Sequence, residues 1–169
     1  NGSSWTEVGD LNTARTLAGG FGSVTSALAF GNEPIAAITE QWNGTAWTEV
    51  ADLSTGRKEL TGNGTSHSAG FAAAGSAPGG RTAVAEEWTG AGADVGAWST
   101  GGTMNRARYA IAGAGTQTAA LAFGGNYPPG DNFADQTELY DGTSWTELND
   151  MNTARQSLAG TGTSTSALV

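Results

Sequence analysis

Short apolar runs alternate with glycine-rich and polar breaks along the whole chain. Between Arg108 and Trp145 the runs are Ala110–Gly115, Ala119–Phe123, Gln136–Tyr140 and Ser144–Leu148. Runs of this length, bounded by Gly, Asn or Asp and in part alternating apolar with polar, are typical of β-strands. No stretch has a sustained helical period. The pattern therefore predicts four short strands per unit, which we call a, b, c and d in chain order.

The same pattern occurs four times, each time marked by a Trp and an Arg ten residues later. The pairs are Trp5 and Arg15, Trp47 and Arg57, Trp98 and Arg108, and Trp145 and Arg155. Successive Trp residues stand 42, 51 and 47 residues apart. Four antiparallel strands in a period of this size match one blade of a β-propeller. We call the four arginines the repeat arginines.

The repeats predict an all-β fold, a single partial propeller of about 3.75 four-stranded antiparallel blades over residues 1–169. The repeats span approximately residues 9–53, 54–104 and 105–151. An incomplete repeat covers 152–169, and residues 1–8 end a preceding one. This count gives fifteen strands, and we expect the chain to be a fragment of a longer polypeptide or its ordered part.

Glycine marks two kinds of position in the repeat. Asn43-Gly44 and Asp141-Gly142 predict tight type I′ turns that join strands c and d as antiparallel pairs, since both central residues of that turn need positive φ. Glycines also stand five and seven residues after every repeat arginine. They predict backbone with special φ or close approach of a neighbour.

The repeat arginines have two interpretations. Four arginines could converge on one anion site. The favoured interpretation is that each lies in its own blade beside a strand-c glutamate, because a buried Arg–carboxylate pair fixes geometry well. The glutamates expected to contact them are Glu40, Glu86 and Glu138.

The order of these residues resembles the kelch-like propeller repeat: a double glycine, then Glu and an aromatic residue, then Trp, then Arg. The residues that carry the resemblance are Gly124-Gly125, Glu138, Tyr140, Trp145 and Arg155. The sequences within the repeats, such as Asp141–Leu148 and Asn152–Arg155, are also similar to low-charge, Gly/Thr/Ala-rich kelch-like repeats. Such repeats occur in virion appendage proteins of phages, notably marine ones, and in predicted bacterial surface proteins.

Composition narrows the function classes. The chain has 169 residues, a net charge of -9, seven Lys and Arg residues and no Cys. Few cations argue against a nucleic-acid partner, and no apolar run is long enough for membrane insertion. The absence of Cys excludes thiolate metal sites and Cys nucleophiles.

No candidate catalytic, metal or cofactor site emerges from the polar residues. His67, the single histidine, stands where other repeats have Thr, and one histidine cannot build a His-based metal site. Most acids are periodic. Asp94, Asp131 and Asp135 are not, but sequence cannot place two of them at the separation a hydrolase pair needs. Asp131, Asn132 and Asp135 could hold calcium, although a solvated polar loop is the favoured interpretation.

The repeats differ most in the connection from strand b to strand c. This connection is short in the first repeat, longer in the second (Gly75–Ala83) and longest in the third (Gly124–Asp135). Loops on a rigid scaffold commonly carry binding. The candidate recognition loop therefore comprises Tyr127, Pro128, Pro129, Asp131 and Phe133. The alternative is a proline-stiffened loop packed on its own blade.

These observations predict a non-enzymatic recognition or structural module in a virion or on an extracellular surface. The leading hypothesis is a phage virion appendage, a tail or capsid fibre that contacts the host surface or other virion proteins. The expected partners are other protein subunits, including a second copy that completes the ring. The alternatives are a carbohydrate-binding bacterial surface or secreted protein, with a surface glycan as partner, and a fragment of a propeller glycoside hydrolase or lyase.

Overall fold

The structure, a computed structural model, describes residues 2–90, 96–130 and 132–169, and this part of the chain contains strands, turns and irregular segments but no helix. The strands are β1 (Gly19–Ser23), β2 (Ser26–Asn32), β3 (Ala36–Trp42), β4 (Trp47–Val50), β5 (Thr61–Ser66), β6 (Ala69–Ala73), β7 (Ser76–Ala77), β8 (Gly80–Arg81), β9 (Ala85–Thr89), β10 (Ala97–Thr100), β11 (Ala112–Thr116), β12 (Ala119–Phe123), β13 (Asn126–Tyr127), β14 (Asn132–Phe133), β15 (Thr137–Tyr140), β16 (Trp145–Glu147), β17 (Thr161–Thr163) and β18 (Ser166–Leu168).

Three four-stranded antiparallel sheets follow one another along the chain. Sheet 1 has the order β1-β2-β3-β4, sheet 2 the order β5-β6-β9-β10, and sheet 3 the order β11-β12-β15-β16. Strands β17 and β18 form an antiparallel pair that we call sheet 4. The predicted all-β fold and the four-stranded antiparallel units are thus confirmed.

The predicted count of fifteen strands is wrong in two places. The segment around Trp5 is not a strand, and Trp5 is fully exposed, because no described residue supplies the strand c with which a strand d pairs. In addition, the long b–c connections contain two small hairpins, β7–β8 and β13–β14, that the sequence pattern did not predict.

The c–d turns join the predicted strands, but their type differs from the prediction. The turns have four residues, since Trp42 pairs with Trp47 and Tyr140 with Trp145. Only the glycine of each turn has positive φ. Asp141 instead accepts hydrogen bonds on Oδ1 from two backbone N–H groups that follow it, which is the Asx-turn geometry, and Asn43 does the same.

Apolar clusters lie between successive sheets. Phe30 of sheet 1 and Trp98 of sheet 2 have ring centroids 5.1 Å apart, and Phe71 of sheet 2 and Trp145 of sheet 3 have centroids 6.1 Å apart. The first strands of neighbouring sheets also pack side by side, β1 against β5, β5 against β11 and β11 against β17. The core is therefore a series of layers between sheets.

Glycine in the first strand of a sheet makes this packing possible. A Cβ at Gly62 would lie 2.3 Å from the Phe30 ring, and one at Gly160 would lie 2.5 Å from the Phe123 ring. At these two positions, five residues after a repeat arginine, the close approach of a phenylalanine ring leaves no room for a side chain. At the seventh position, positive φ explains the glycine in three repeats, with 130° at Gly22, 106° at Gly115 and 118° at Gly162. At Gly64 close approach explains it, since a Cβ there would lie 2.7 Å from the Phe21 ring.

A backbone ladder joins all four sheets. Leu17, Glu59, Ala110 and Ser157 each stand two residues after a repeat arginine and have φ of 53–55°. Glu59 N–H donates to Leu17 O (2.8 Å), Ala110 N–H to Glu59 O (2.9 Å), and Ser157 N–H to Ala110 O (2.9 Å). This conformation costs a non-glycine residue roughly 1–2 kcal/mol, and the inter-sheet hydrogen bonds offset that cost.

A search of the described residues for a helix long and apolar enough to cross a membrane finds none.

Replacing Gly62 with Ala should destabilise the protein, because the new Cβ would collide with the Phe30 ring between sheets 1 and 2. Overpacking of this kind costs about 1–3 kcal/mol. Gly79→Ala is the matched control, since a Cβ there meets nothing within 4 Å. Urea unfolding followed by Trp fluorescence measures both free energies. Equal effects of the two changes would contradict the packing account.

Candidate recognition surface

The b–c connections and the connections between sheets meet on one side of the array, which we call the loop face. Isolated β-bridges join the two kinds of connection: Ala36 with Arg57, Lys58 with Ser76, Thr82 with Arg108, Tyr109 with Asn126, and Ala134 with Arg155. Each b–c connection is therefore held by backbone hydrogen bonds to the segments that link the sheets.

Three repeat arginines form buried ion pairs with the expected glutamates. Arg15 pairs with Glu40, Arg57 Nη2 lies 2.5 Å from Glu86 Oε1, and Arg108 Nη2 lies 2.6 Å from Glu138 Oε1. The six side chains are at most 2% exposed. Each arginine pairs with a glutamate of its own sheet, so these three do not converge on one anion site. We call this arrangement the Arg–Glu clamp.

The second terminal nitrogen of each clamp arginine donates hydrogen bonds to the b–c connection of the same sheet. Arg108 Nη1 donates to Gly124 O and Gln136 O, both at 2.9 Å, at the two ends of the longest connection. Arg57 Nη1 donates to Ala74 O and Val84 O, and Arg15 Nη1 to Gly31 O and Ile38 O. The clamp thus holds both ends of a loop whose middle is free to vary.

The backbone at the repeat arginines ties each sheet to the one before it. Asn32 N–H donates to Arg57 O (3.1 Å), Gly75 N–H to Arg108 O (2.8 Å), and Gly125 N–H to Arg155 O (2.7 Å). One residue therefore joins two sheets, its side chain bonded to its own sheet and its carbonyl to the preceding one.

The ionisation of the clamp is set by burial and by hydrogen bonds. Burial alone would raise the pKa of Glu40, but hydrogen bonds from the Asn12 backbone, the Arg15 side chain and the Thr13 backbone outweigh it and lower that pKa. Burial lowers the pKa of Arg57 and of Arg108, and the paired glutamates oppose the shift. Arginine stays protonated at any ordinary pH, so the guanidinium of each clamp keeps its charge.

Arg155 differs from the other repeat arginines. Its backbone is held in the same way, with Arg155 N–H donating to Ala134 O (3.0 Å) as Arg57 N–H donates to Ala36 O (3.1 Å). Its side chain is exposed, and within residues 2–90, 96–130 and 132–169 no carboxylate pairs with it. The expected contacts thus account for three of the four arginines.

His67 lies in the turn between β5 and β6, as its place in the repeat predicted. Its backbone N–H donates to Ser26 Oγ (3.0 Å), and its carbonyl accepts a hydrogen bond from Trp88 Nε1 (2.7 Å). The backbone at His67 thus links sheet 2 to sheet 1 and supports the strand-c tryptophan.

The residues of the calcium hypothesis have other contacts. Asn132 Nδ2 donates to Pro129 O, and Asp135 Oδ1 accepts from Gln136 Nε2 at 2.9 Å. Asp131 and Asp94 lie outside the described residues. Within the described part of the chain, no three His, Cys, Asp or Glu side chains are grouped so that they could hold a metal ion.

The candidate recognition loop is a short hairpin with a fixed base and an exposed tip. At its base, buried Asn126 pairs with Tyr109 through the backbone and donates from Nδ2 to Gln156 Oε1 (2.9 Å). At its tip, Pro128 and Pro129 are exposed, and Phe133, which pairs with Asn126 at the base, has a side chain that is 52% exposed. The base packs on the scaffold as in the alternative interpretation, and the tip presents apolar surface to solvent.

Two arginine–tyrosine stacks flank the hairpins, and sequence reasoning missed them. The Arg106 guanidinium lies 4.1 Å from the centre of the Tyr127 ring, and that of Arg81 lies 4.7 Å from the centre of the Tyr109 ring. A cation over an aromatic face contributes about 0.5–1 kcal/mol at exposed sites. The sequence contains one signal that could have drawn attention to these stacks. The residue after each repeat arginine varies from repeat to repeat: Thr16, Lys58, Tyr109 and Gln156.

The other insertion, from Thr89 to Ala97, lies between strands c and d of sheet 2. Residues 91–95 of it are outside the described residues. At its base, Trp88 and Trp98 pair across β9 and β10, with ring centroids 5.3 Å apart. This insertion belongs to the end of sheet 2 opposite the b–c hairpins.

Comparisons with known proteins support the fold alone. No protein-family profile matches the chain, and no curated protein sequence matches it. Among solved structures, the chain is similar to one titled "Structure of YjhT", with a TM-score of 0.64 and 11% sequence identity over 74% of this chain and 42% of that chain. The chain thus spans less than half the length of that structure. Fold, clamps and comparison together define an all-β protein of successive four-stranded antiparallel sheets.

Replacing Arg57 with Ala should lower the free energy of unfolding by about 3–5 kcal/mol, because it leaves the buried Glu86 carboxylate without its counter-ion. Arg155→Ala is the matched control. It removes the same residue type at the same repeat position, where the side chain is exposed, and should cost less than about 0.5 kcal/mol. Urea unfolding of the 169-residue chain compares them, and similar losses would refute the clamp account.

Glu40→Gln should change how stability depends on pH. Because the folded pKa of Glu40 is lowered, its contribution is complete above its ordinary value of 4.5 and is lost as pH falls through the folded value. The native chain should therefore be more stable than the variant at pH 7, and this difference should shrink below about pH 4.5. Urea titrations between pH 3 and 7 measure it. A difference that stays constant into acid would contradict the assignment.

Proposed function

We propose that the chain is part of a kelch-like β-propeller that serves as a non-enzymatic recognition module in a phage virion appendage. The proposal is based mainly on the structure of the loop face. There the Arg–Glu clamps hold the ends of connections that differ in length and sequence from sheet to sheet.

Three features support the propeller arrangement. The sheets follow one another along the chain, their first strands pack side by side, and the ladder through Leu17, Glu59, Ala110 and Ser157 links each sheet to the next by one repeated hydrogen bond. Blades arranged around an axis place their first strands innermost in this manner.

The use of the buried charges supports a non-enzymatic role. Glu40, Glu86 and Glu138 are the buried carboxylates of the described residues, and each is bonded to an arginine and to backbone N–H groups at the entry of its sheet. Their hydrogen bonds are made to the scaffold itself. At the loop face, by contrast, the non-repeating side chains of Arg106 and Phe133 are exposed.

A carbohydrate-binding surface protein is the second candidate. Tyr127, with Arg106 over one face of its ring, and exposed Phe133 offer the flat apolar surfaces on which sugar rings stack. Immunogold labelling with an antibody against the 169-residue chain distinguishes the candidates. Labelled particle appendages support the virion proposal, whereas labelled bacterial envelopes with binding on a glycan array support the second. Turnover of a glycan by the chain would overturn the non-enzymatic role.

Phe133→Ser should weaken adsorption of the fluorescently labelled chain to host cells at least tenfold, because it removes the large exposed apolar side chain of the β13–β14 hairpin. Val24→Ser is the control. Val24 is also apolar and is more exposed than Phe133, at 92% against 52%, but it lies in the turn between β1 and β2, away from the loop face. Adsorption measured by flow cytometry should change only for Phe133. Equal loss in both variants, or none in either, would place recognition elsewhere.

A further inference from the structure

Two Asn-Gly pairs lie within the described residues, and threonine follows each of them. The tripeptides are Asn43-Gly44-Thr45 and Asn63-Gly64-Thr65. Asn43 and Gly44 are exposed in the c–d turn of sheet 1, whereas Asn63 is half-buried and Gly64 is buried in β5. Because the two tripeptides have the same sequence, a difference in their chemistry reflects mainly the fold around them.

The side-chain oxygen of Asn43 accepts two backbone hydrogen bonds. Thr45 N–H donates to Oδ1 at 2.9 Å and Ala46 N–H donates to it at 3.0 Å. Two donors aimed at one carbonyl oxygen stabilise negative charge that develops on that oxygen during nucleophilic attack. The Asx turn therefore activates Cγ of Asn43 as an electrophile.

Gly44 supplies a nucleophile beside that carbon. Attack of its backbone nitrogen on Asn43 Cγ closes a five-membered ring, and the absence of a Cβ on Gly44 leaves the approach open. Gly44 is exposed, so a base from solvent can reach its N–H. The exposed turn thus holds an electrophile, a nucleophile and access for water.

We propose that Asn43 is a modification site that deamidates spontaneously through the backbone nitrogen of Gly44. The Gly44 nitrogen loses its proton to hydroxide and bonds to Asn43 Cγ, which places negative charge on Oδ1. The Cγ–Nδ2 bond then breaks, and Nδ2 takes a proton from water and leaves as ammonia. Water opens the resulting succinimide at either carbonyl, which leaves aspartate or isoaspartate at position 43. This inference does not depend on the proposed recognition role.

Asn63 is held in a way that opposes the same reaction. Its Nδ2 donates to Gly113 O of sheet 3 at 3.2 Å, and its backbone pairs with Phe71 of β6. The backbone at Gly64 is crowded, since a Cβ there would lie 2.5 Å from Ala69 O. Ring closure at Asn63 must break the bond to Gly113 within this packed strand. We therefore expect Asn63 to react much more slowly than Asn43.

Sheet 3 already carries aspartate at the equivalent turn position. Asp141 Oδ1 accepts from Thr143 N–H and Ser144 N–H, both at 2.8 Å, as Asn43 Oδ1 accepts from its two donors. The fold therefore accommodates the aspartate product. The hydrogen bonds from Ser144 and Thr143 lower the pKa of Asp141. Its carboxylate is thus ionised at neutral pH, and the negative charge disfavours attack by a backbone nitrogen.

The test incubates the 169-residue chain at pH 8, both native and unfolded in concentrated urea. Peptide mapping by mass spectrometry follows deamidation at each asparagine. In the native chain, Asn43 should deamidate at least tenfold faster than Asn63. In urea the two rates should be similar, because the tripeptides are identical.

Gly44→Ala provides a test of the nucleophile. The added Cβ hinders the approach of the backbone nitrogen, so deamidation at Asn43 should slow at least tenfold in the folded variant, and circular dichroism establishes that it is folded. Three outcomes would overturn the proposal: equal rates at the two asparagines of the native chain, an undiminished preference for Asn43 in urea, or an unchanged rate in folded Gly44→Ala. If this variant does not fold, the comparison of native and unfolded chains still decides.

Discussion

The buried Arg–Glu clamp is the interaction on which the rest of this structure depends. Taking two charges out of water costs several kcal/mol per ion unless geometry and further hydrogen bonds compensate. Here Arg57 and Arg108 each donate to a glutamate and two carbonyls, and the glutamate accepts from the backbone at the entry of the sheet. Both terminal nitrogens of these arginines are hydrogen-bonded. The clamp therefore fixes the position of the chain where it enters each new sheet.

The clamp acts together with the packing between sheets. A four-stranded sheet has two faces to cover, and in this chain the cover is the neighbouring sheet. Gly62 and Gly160 allow a phenylalanine of the preceding sheet to approach the first strand, so the apolar layers can form with small residues at the strands that pack side by side. The clamp sets where each sheet begins, and the glycine–phenylalanine contact sets how close the sheets lie.

Much of this architecture could be predicted from sequence because it repeats. A residue that returns at fixed spacing has the same neighbours each time, which is why the Glu40, Glu86 and Glu138 pairings followed from register alone. The turn type at Asn43 did not follow, since Asn-Gly suits both a two-residue turn and an Asx turn. The Arg106–Tyr127 stack also lies beyond pattern reasoning, because it joins two non-repeating positions through the tertiary fold.

The contrast between repeating and non-repeating positions also applies to the candidate recognition surface. The repeat indicated where variable loops would lie but not that they fold as hairpins, because two-residue strands leave no periodic signal. The scaffold fixes their bases through Asn126 and the clamp of the same sheet, and their tips remain exposed. Recognition is therefore expected from the exposed residues of the hairpin, including Phe133, and stability from its buried residues, such as Asn126.

The central claim is that the Arg–Glu clamp holds the b–c connection of its sheet. Amide hydrogen exchange in the Arg108→Met variant tests this most directly. Arg108 fixes Gly124 O and Gln136 O, so its loss should release the hairpin between them. Exchange at Gly125, Asn126 and Ala134 should accelerate at least tenfold more than exchange at the amides of β1 and β2. Unchanged exchange at these three amides would contradict the claim, as would uniform acceleration through all sheets.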